Sequence, residues 1–513
     1  VVATDEDGGA PPVVAGAKGA DDGGTGGAEV AAAAIADAAA VAVVAPESDA
    51  PTDRFPYLPP FAAIPDADRL ANLALEGKPT VAGVASVMYR FLHAQHDWNA
   101  RMHGNKSIKP EEVLGAFGDL VSEILVPFDA VYQGGPIFPI RDDDSIFVSL
   151  ASYRDYLLGE TMRELFGRAK HPERLYVGAV VQNCFGNEYQ CRTGVEVVGK
   201  DKQGRPQTKV SDAPPDKNGV EEFCEDDKYK HFCESGQVRA LYVNETESVG
   251  PAMARYFASK LWGGESFFMQ VDSHLQFVEE WDRLYVEEVK ATKAYPKAVL
   301  STYPPGFGGL GKGESRGSRL CSCEFSHSDV EEKIIRIGLG GSYRNDPPRP
   351  TQIPFIAAGF FFARGEFLVD VPFDPYLPWC FMGEEIALSM RAWTSGWDIY
   401  APRKNYIAHQ YRPGRMGLPK FWESVGRQFG RPGPTFSNRI QKKVIQRVKN
   451  LVGYLDMTKE FIESEGDGKV LSELENYGIG KSRTRDEYLK FANIDMVKQS
   501  CGQIGWCSRS ELE

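Results

Sequence analysis

The spacing of apolar positions changes three times along the chain, and each change predicts a different kind of segment. Residues 1–55 are rich in Ala, Gly, Val, Asp and Pro with no amphipathic period. Such a composition buries too little side chain to offset its ordering entropy, so it predicts a disordered tail. From 66 to 132 the spacing becomes helical: Val84, Val87, Met88, Phe91 and Leu92 form one apolar face, and Pro110-Glu111-Glu112 opens a second helix. Residues 56–140 therefore read as a helical accessory region. At Ser145 the period shortens again. An apolar run over 145–151 predicts a buried strand, followed by polar Ser152-Tyr153-Arg154-Asp155 and a helix through Phe166.

Strand and helix then alternate. Strands are expected over 176–182, 237–243, 266–272 and 298–302, with a helix starting at Pro251 and another over 277–293. This alternation predicts an α/β domain over 141–435 with a mostly parallel sheet, whose ligands gather at the carboxyl ends of the strands. Three Gly/Pro-rich or polar stretches, 200–219, 304–318 and 340–350, read as lids or surface insertions. Pro354-Phe-Ile-Ala-Ala-Gly-Phe-Phe-Phe362 reads as another apolar strand. Residues 436–513 are expected to form a helical C-terminal extension, with a helix over 442–455.

Composition narrows the function classes. The net charge of -13 would repel phosphate backbones, which argues against a nucleic-acid partner. No run of 18 strongly apolar residues is present; the best candidate, 31–44, is mainly alanine and contains Asp37. Nine cysteines form an odd set without CxxC pairs, and Cys321-Ser322-Cys323 is too closely spaced for a mutual disulfide. Mostly free thiols and a reducing, cytoplasmic location are therefore expected, or the Golgi lumen if an anchor preceded Val1. Cys224, His231 and Cys233, and likewise Cys321, Cys323 and His327, are weak candidates for zinc because neither set has a fourth ligand at familiar spacing. Asn105-Lys-Ser107 and Asn244-Glu-Thr246 match the acceptor pattern for N-glycosylation.

The sharpest chemical feature is Gln270-Val271-Asp272-Ser273-His274, where an apolar strand ends in a carboxylate and an imidazole two residues apart. On an extended strand the two project to one side. Such oxygen and nitrogen donors suit a divalent cation, Mn²⁺ or Mg²⁺ rather than Ca²⁺, and an open metal site can grip a diphosphate. A capped turn with a satisfied histidine is the alternative. Gly383-Glu384-Glu385 opens a helix behind aromatic residues, an arrangement that presents acids to sugar hydroxyls but also complements a helix dipole. His409 follows a short apolar strand and is a third ligand only if the fold brings it to Asp272. Arg255 is a candidate for a bidentate phosphate contact or a surface ion pair. Gly-Leu-Gly-Lys-Gly within 306–313 lacks the strand-to-helix context of a phosphate loop.

Taken in order, the stretch 146–155, Gly250-Pro-Ala-Met-Ala-Arg255, Gln270 to His274 and Trp281-Asp282 resembles the polypeptide N-acetylglucosaminyltransferases that modify hydroxyproline on the Skp subunit of SCF ubiquitin ligases. That resemblance spans 144–495. A more distant one is to the mucin-type polypeptide N-acetylgalactosaminyltransferases, which share a DxD-like Asp-x-His and a Gly-His-x-x-Arg segment, here Ala408-His409-Gln410-Tyr411-Arg412. The mucin-type Trp-Gly-Gly-Glu-Asn is changed to Phe381-Met382-Gly383-Glu384-Glu385, which bears on donor identity, and no C-terminal lectin pattern is visible.

The resemblance implies a GT-A fold and a retaining transferase moving GlcNAc from UDP-GlcNAc to a protein hydroxyl, with a Skp-like acceptor. It implies metal ligation by Asp272, His274 and His409, with Arg255 beside the diphosphate and Arg412 among the donor-binding residues. Ser149, Ser152, Tyr153, Arg154 and Asp155 would line the uridine; Ala358 and Gly359 would approach the sugar; Glu384 would hold its hydroxyls; and Glu384, Glu385 and Arg255 are the candidate catalytic residues. A different UDP-sugar or acceptor, a degenerate GT-A binding scaffold and a metal hydrolase are the rivals.

Overall fold

The computed structural model describes residues 64–102, 104–105, 107–186, 191–200, 206–310, 315–338, 341–343, 347–411, 421, 434–464 and 471–509. The expected tail over 1–55 and Arg412 lie outside them.

Eight strands form the central sheet: β1 (Ile146–Tyr153), β2 (Leu175–Asn183), β3 (Val238–Asn244), β4 (Phe267–Val271), β5 (Ala298–Ser301), β6 (Thr351–Ile353), β7 (Phe360–Arg364) and β8 (Asp398–Ala401). Their order is β6-β8-β5-β7-β4-β1-β2-β3. Strands β3, β2, β1 and β4 run parallel, as do β5 and β8. Antiparallel β7 joins the two groups, and β6 closes one edge against β8. The protein is thus a mixed α/β structure with a mostly parallel central sheet, as expected. Strands that run parallel need crossovers between them, and the helices Leu158–Gly167, Pro251–Lys260 and Trp281–Lys290 lie in the connections from β1 to β2, β3 to β4 and β4 to β5.

These strands read as unbroken apolar runs because both faces are buried. On β1, Ile146, Val148 and Leu150 join Leu165 and Trp281 on one side of the sheet, while Phe147 joins Tyr256 and Phe257 on the other. The helix Pro251–Lys260 begins with Pro at its first position, directly after Gly250 at φ 95°. That glycine also permits close approach, since a Cβ there would lie 3.1 Å from the Trp379 backbone.

The N-terminal helices Ala67–Leu75, Val81–Met102, Pro110–Leu120 and Val126–Val131 are continuous with this core. Val84, Val87, Met88, Phe91 and Leu92 are all buried, and Phe91 packs on Phe117 and Phe257. Farther along the same helix, Gln95 donates to the Glu247 carbonyl and Asn99 to its carboxylate. The helical region therefore braces the segment that leads into the helix of Arg255.

Several expectations need correction. The helix expected over 277–293 starts only at Trp281, because Leu275–Phe277 is a short strand paired with Ile407–His409. Much of the supposed insertion 200–219 is strand: Cys191–Lys200 pairs with Pro206–Ala213 as an antiparallel ladder. In 354–362 the strand begins at Phe360, and the residues before it form a bend.

The largest correction concerns cysteine. Eight of the nine are paired: Cys184–Cys191, Cys224–Cys233, Cys321–Cys507 and Cys323–Cys501, leaving buried Cys380 as the free thiol. Cys321 and Cys323 do not bond each other, but each meets a partner 186 or 178 residues away. Separations that long leave no local spacing to read. Both zinc sets are ruled out by the same finding, since their thiols are consumed. In the C-terminal segment, between the helices Arg485–Phe491 and Gly505–Arg509, Ile494–Asp495 pairs with Ser500–Cys501. Among the described residues no helix is long and apolar enough to cross a membrane.

Candidate active site

Strand β4 ends at Val271, and the chain bends through Asp272, Ser273 and His274 before re-entering extended structure at Leu275. The bend, rather than an extended strand, brings the Asp272 and His274 side chains together. His409 arrives through the ladder Ile407↔Phe277, Ala408↔Gln276 and His409↔Leu275. Its backbone N–H donates to the Pro305 carbonyl at 2.9 Å, and the Gln410 N–H donates to the His274 carbonyl at 3.0 Å. As a result one ligand atom from each of Asp272, His274 and His409 lies within 4.8 Å of the other two.

The atoms left open on these side chains fit a metal. Asp155 Oδ2 lies 2.7 Å from His274 Nδ1 and accepts from Ser273 Oγ at 2.7 Å. A carboxylate only accepts, so Nδ1 carries the proton and Nε2 keeps its lone pair, the arrangement that orients a histidine ligand. His409 Nε2 sits 2.9 Å from Asp272 Oδ2, whereas its Nδ1 is buried without a partner. One carboxylate and two imidazoles form a donor set suited to a first-row divalent ion.

Charge at the site is tightly coupled. Burial pushes the Asp272 carboxyl up, but the hydrogen bond and charge of His409, with Arg255 and His274 behind them, outweigh it and hold the group well below the usual carboxylate range. Burial alone would lower His274; its hydrogen bond to Asp155 reverses the sign. For His409 burial wins and the imidazole stays neutral more readily, which favours ligation.

Arg255 links this bend to the acidic helix start. Its Nη2 donates to Asp272 Oδ1 at 3.1 Å, and its Nη1 pairs with Glu384 Oε1. Two atoms remain buried and unpartnered, Arg255 Nε and Glu384 Oε2. Gly383, at φ 94°, turns the chain into the helix Glu384–Thr394; a Cβ there would meet Ile334 and Val448. Burial raises the Glu384 carboxyl despite Arg255 beside it.

Glu385 has different partners. Its carboxylate accepts from Tyr303 Oη, 2.9 Å from each oxygen, and from the Ala358 N–H at 2.8 Å. Burial pushes its pKa up to about 7. The bend at Ala358–Gly359 is further pinned by Gln270 Nε2 to the Ala358 carbonyl at 2.9 Å and by Ser301 Oγ, which bridges the Ala357 N–H and the Phe360 carbonyl. Gly359 faces the bend of Asp272: an added Cβ would lie 3.1 Å from Asp272 Oδ2.

The strand-β1 residues are dispersed. Ser149 lies beside Gln270 in the sheet and is buried with its Oγ unpartnered; Ser152 is likewise buried. Tyr153 donates to Glu245 and packs on Phe421. Arg154, at φ 49°, turns away from the triad to grip Asp216 at 2.7 and 3.0 Å. Asp155 spends both oxygens locally, one on Ser273 and His274, the other capping the Leu157 N–H at 2.8 Å. Sequence reasoning missed Tyr303 and Tyr411, whose ring packs 4.4 Å from His409, and assigned Gln270 no role of its own. Polar residues near a bend identify themselves only once the bend is known.

Among solved structures the chain is similar to GalNAc-T7 crystallised with UDP, GalNAc and Mn²⁺, at 15% identity and TM-score 0.37, over 72% of this chain and 57% of that one. It is also similar to S. aureus TarS, at 14% identity and TM-score 0.30 over 69% and 49%, and to TarS 1-349 in complex with UDP, at 14% and 0.29 over 69% and 80%. The chain thus spans little more than half the length of the first of these. No curated protein sequence matches. The glycosyltransferase (GlcNAc) family model matches residues 145–498, well over half of the chain, and the protein belongs to that family.

Proposed function

We propose that the protein is a metal-dependent GT-A glycosyltransferase that moves GlcNAc from UDP-GlcNAc to a protein hydroxyl with retention of anomeric configuration. The observation that carries this reading is the convergence of Asp272, His274 and His409 beside Arg255, in a chain of the glycosyltransferase (GlcNAc) family. Those three residues would hold Mn²⁺ or Mg²⁺, which when bound neutralises charge growing on a leaving diphosphate.

The chain's own groups divide the remaining work. Arg255, already drawn between Asp272 and Glu384, offers the diphosphate a fixed cation. Glu384 keeps Oε2 open for a sugar hydroxyl, and Gly359 leaves room for the sugar against the Asp272 carboxylate. Glu385 is engaged by Tyr303 and the Ala358 N–H, which makes it a positioning residue for the Ala358–Gly359 bend rather than a nucleophile. With Glu384 paired to Arg255 and Glu385 occupied, direct front-face transfer is favoured over a covalent glycosyl intermediate. Ser152 and Tyr153 remain the candidates for the uridine, whereas the partners of Asp155 favour a role in orienting His274.

Acceptor identity divides into two readings. The family resemblance favours hydroxyproline on a Skp-like protein. The four disulfides favour an acceptor met in an oxidising compartment, since such bonds rarely persist in reducing cytosol. The deciding assay supplies Mn²⁺ and a panel of UDP-sugars, and scores UDP release with a Skp-like protein or with secreted proteins as acceptor. UDP-GlcNAc turnover abolished by chelation is expected; turnover of UDP-galactose instead moves the donor assignment, and no turnover of any donor returns the chain to a binding scaffold.

A further inference from the structure

The two N-x-Ser/Thr sites differ sharply in the fold. Asn244 ends β3 and is 3% exposed, and its Oδ1 accepts from both the Thr246 N–H at 3.2 Å and Thr246 Oγ1 at 3.1 Å. Its neighbours Glu245, Thr246 and Glu247 are buried as well. A branched, hydrated glycan on that nitrogen has no path to solvent. Asn105 lies in the connection between the helices Val81–Met102 and Pro110–Leu120, and both it and Ser107 are exposed. Its own Oδ1 accepts from the Ser107 N–H at 3.0 Å, and its backbone closes turns with Met102 and Ile108. These bonds hold Asn105 in place while leaving its side-chain nitrogen uncommitted among the described contacts.

A second, independent observation concerns where the chain folds. Eight of nine cysteines are paired, two of the pairs across 178 and 186 residues. Pairing of that density belongs to chains that mature in an oxidising compartment, the same environment in which N-glycans are attached. We infer that Asn105 is an N-glycosylation site and that Asn244, despite its matching sequence, is not. The modification forms a bond from Asn105 Nδ2 to the first GlcNAc of a lipid-linked oligosaccharide donor, which leaves as the lipid diphosphate while the amide gives up one proton.

The test is made on the full chain isolated from its own cells or secreted from a eukaryotic host. Peptide-N-glycosidase digestion in heavy-oxygen water converts each released asparagine to a labelled aspartate, read by peptide mass spectrometry. The label is expected on Asn105 and absent from Asn244. Asn105→Gln and Ser107→Ala are each expected to abolish the intact-mass shift, Ser107→Thr to retain it, and Asn244→Gln to leave it unchanged. Alkylation of the denatured protein should block one thiol without reductant and nine after reduction. A chain with its disulfides formed but a bare Asn105, a label on Asn244, or nine reactive thiols without reductant overturns the inference.

Discussion

The corner holding Asp272, His274 and His409 and the corner holding Cys321, Cys323, Cys501 and Cys507 solve the same problem in different ways. Each joins segments remote in sequence: His409 lies 137 residues from Asp272, and the cysteine partners lie 178 and 186 residues apart. The stapled corner is closed by two covalent bonds. At the other corner, acids, imidazoles and a guanidinium hold one another, and His409 Nδ1, Arg255 Nε and Glu384 Oε2 stay buried without partners. Buried polar atoms left open cost roughly 1–3 kcal/mol each, a cost that a fold with no ligand to satisfy gains nothing by carrying. One corner is closed by covalent bonds; the other keeps polar atoms open, as the proposed binding role requires.

The largest expected effect breaks the binding corner. Asp272→Asn removes the charge shared by His409 and Arg255, and transfer is expected to fall by roughly 10³-fold, about 4 kcal/mol in transition-state terms. His409→Ala should match it. Steady-state UDP release checks both, alongside thermal melting to establish that the variants fold. Loss of activity with Asp272→Asn but not His409→Ala would confine the metal reading to the bend at 272–274.

Breaking the stapled corner should act on stability first. The double substitution Cys501→Ser and Cys507→Ser releases loops of about 180 residues, and a loss of roughly 3 kcal/mol is expected, within the typical range for a native disulfide. Denaturant titration measures it. The strand Ser322–Phe325 pairs with Ile335–Gly338, and the Ile337 carbonyl accepts from Tyr303 Oη, the partner of Glu385. Only through that chain of contacts should activity respond. A variant with native stability and abolished turnover would reverse the assignment of the two corners.

How much of this could be read from the chain alone follows the same division. The parallel strands were legible because burial on both faces writes a continuous apolar run, and Pro251 marked its helix start because a missing N–H costs nothing there. Asp272 and His274 could be singled out because an apolar strand ends there in a carboxylate and an imidazole two residues apart, and the fold groups them with His409. The ladder from Ile407 to Phe277 that delivers His409 was not legible, since three-residue strands carry no period, and the helix expected from 277 overlapped its Phe277. The staples were invisible for a different reason: a disulfide requires proximity of two Cα atoms, here 5.6 Å, and sequence separation says nothing about that.

A smaller effect distinguishes the adjacent acids Glu384 and Glu385. Glu385 titrates near 7 in the folded protein against 4.5 for its ordinary value, so folding favours its protonated form. The associated stability is fully present below about pH 4.5 and is lost as pH rises through 7. Glu385→Gln cannot ionise and keeps an acceptor for the Ala358 N–H. Its melting temperature should therefore gain on the native protein between pH 5 and pH 8, by the equivalent of about 2 kcal/mol. Parallel melting curves across that range would place the raised pKa elsewhere.

The finest test concerns what Asp155 does. The family resemblance assigns it to the uridine, whereas its hydrogen bonds aim Oδ2 at His274 Nδ1 and Ser273 Oγ. The two roles predict different losses. As a partner that holds the His274 proton on Nδ1, Asp155 tunes metal affinity, and its removal should weaken Mn²⁺ binding by about 10-fold. Asp155→Asn keeps an acceptor for Nδ1 without the charge, so it should lose less than Asp155→Ala. A residue on the uridine would instead weaken UDP in both variants and leave Mn²⁺ alone. Calorimetric titration of each protein with Mn²⁺ alone, then with UDP, separates the cases without any turnover. If Mn²⁺ affinity holds at its native value in Asp155→Ala while UDP affinity falls, the bend at 272–274 orients His274 by packing alone, and the carboxylate belongs to the nucleotide.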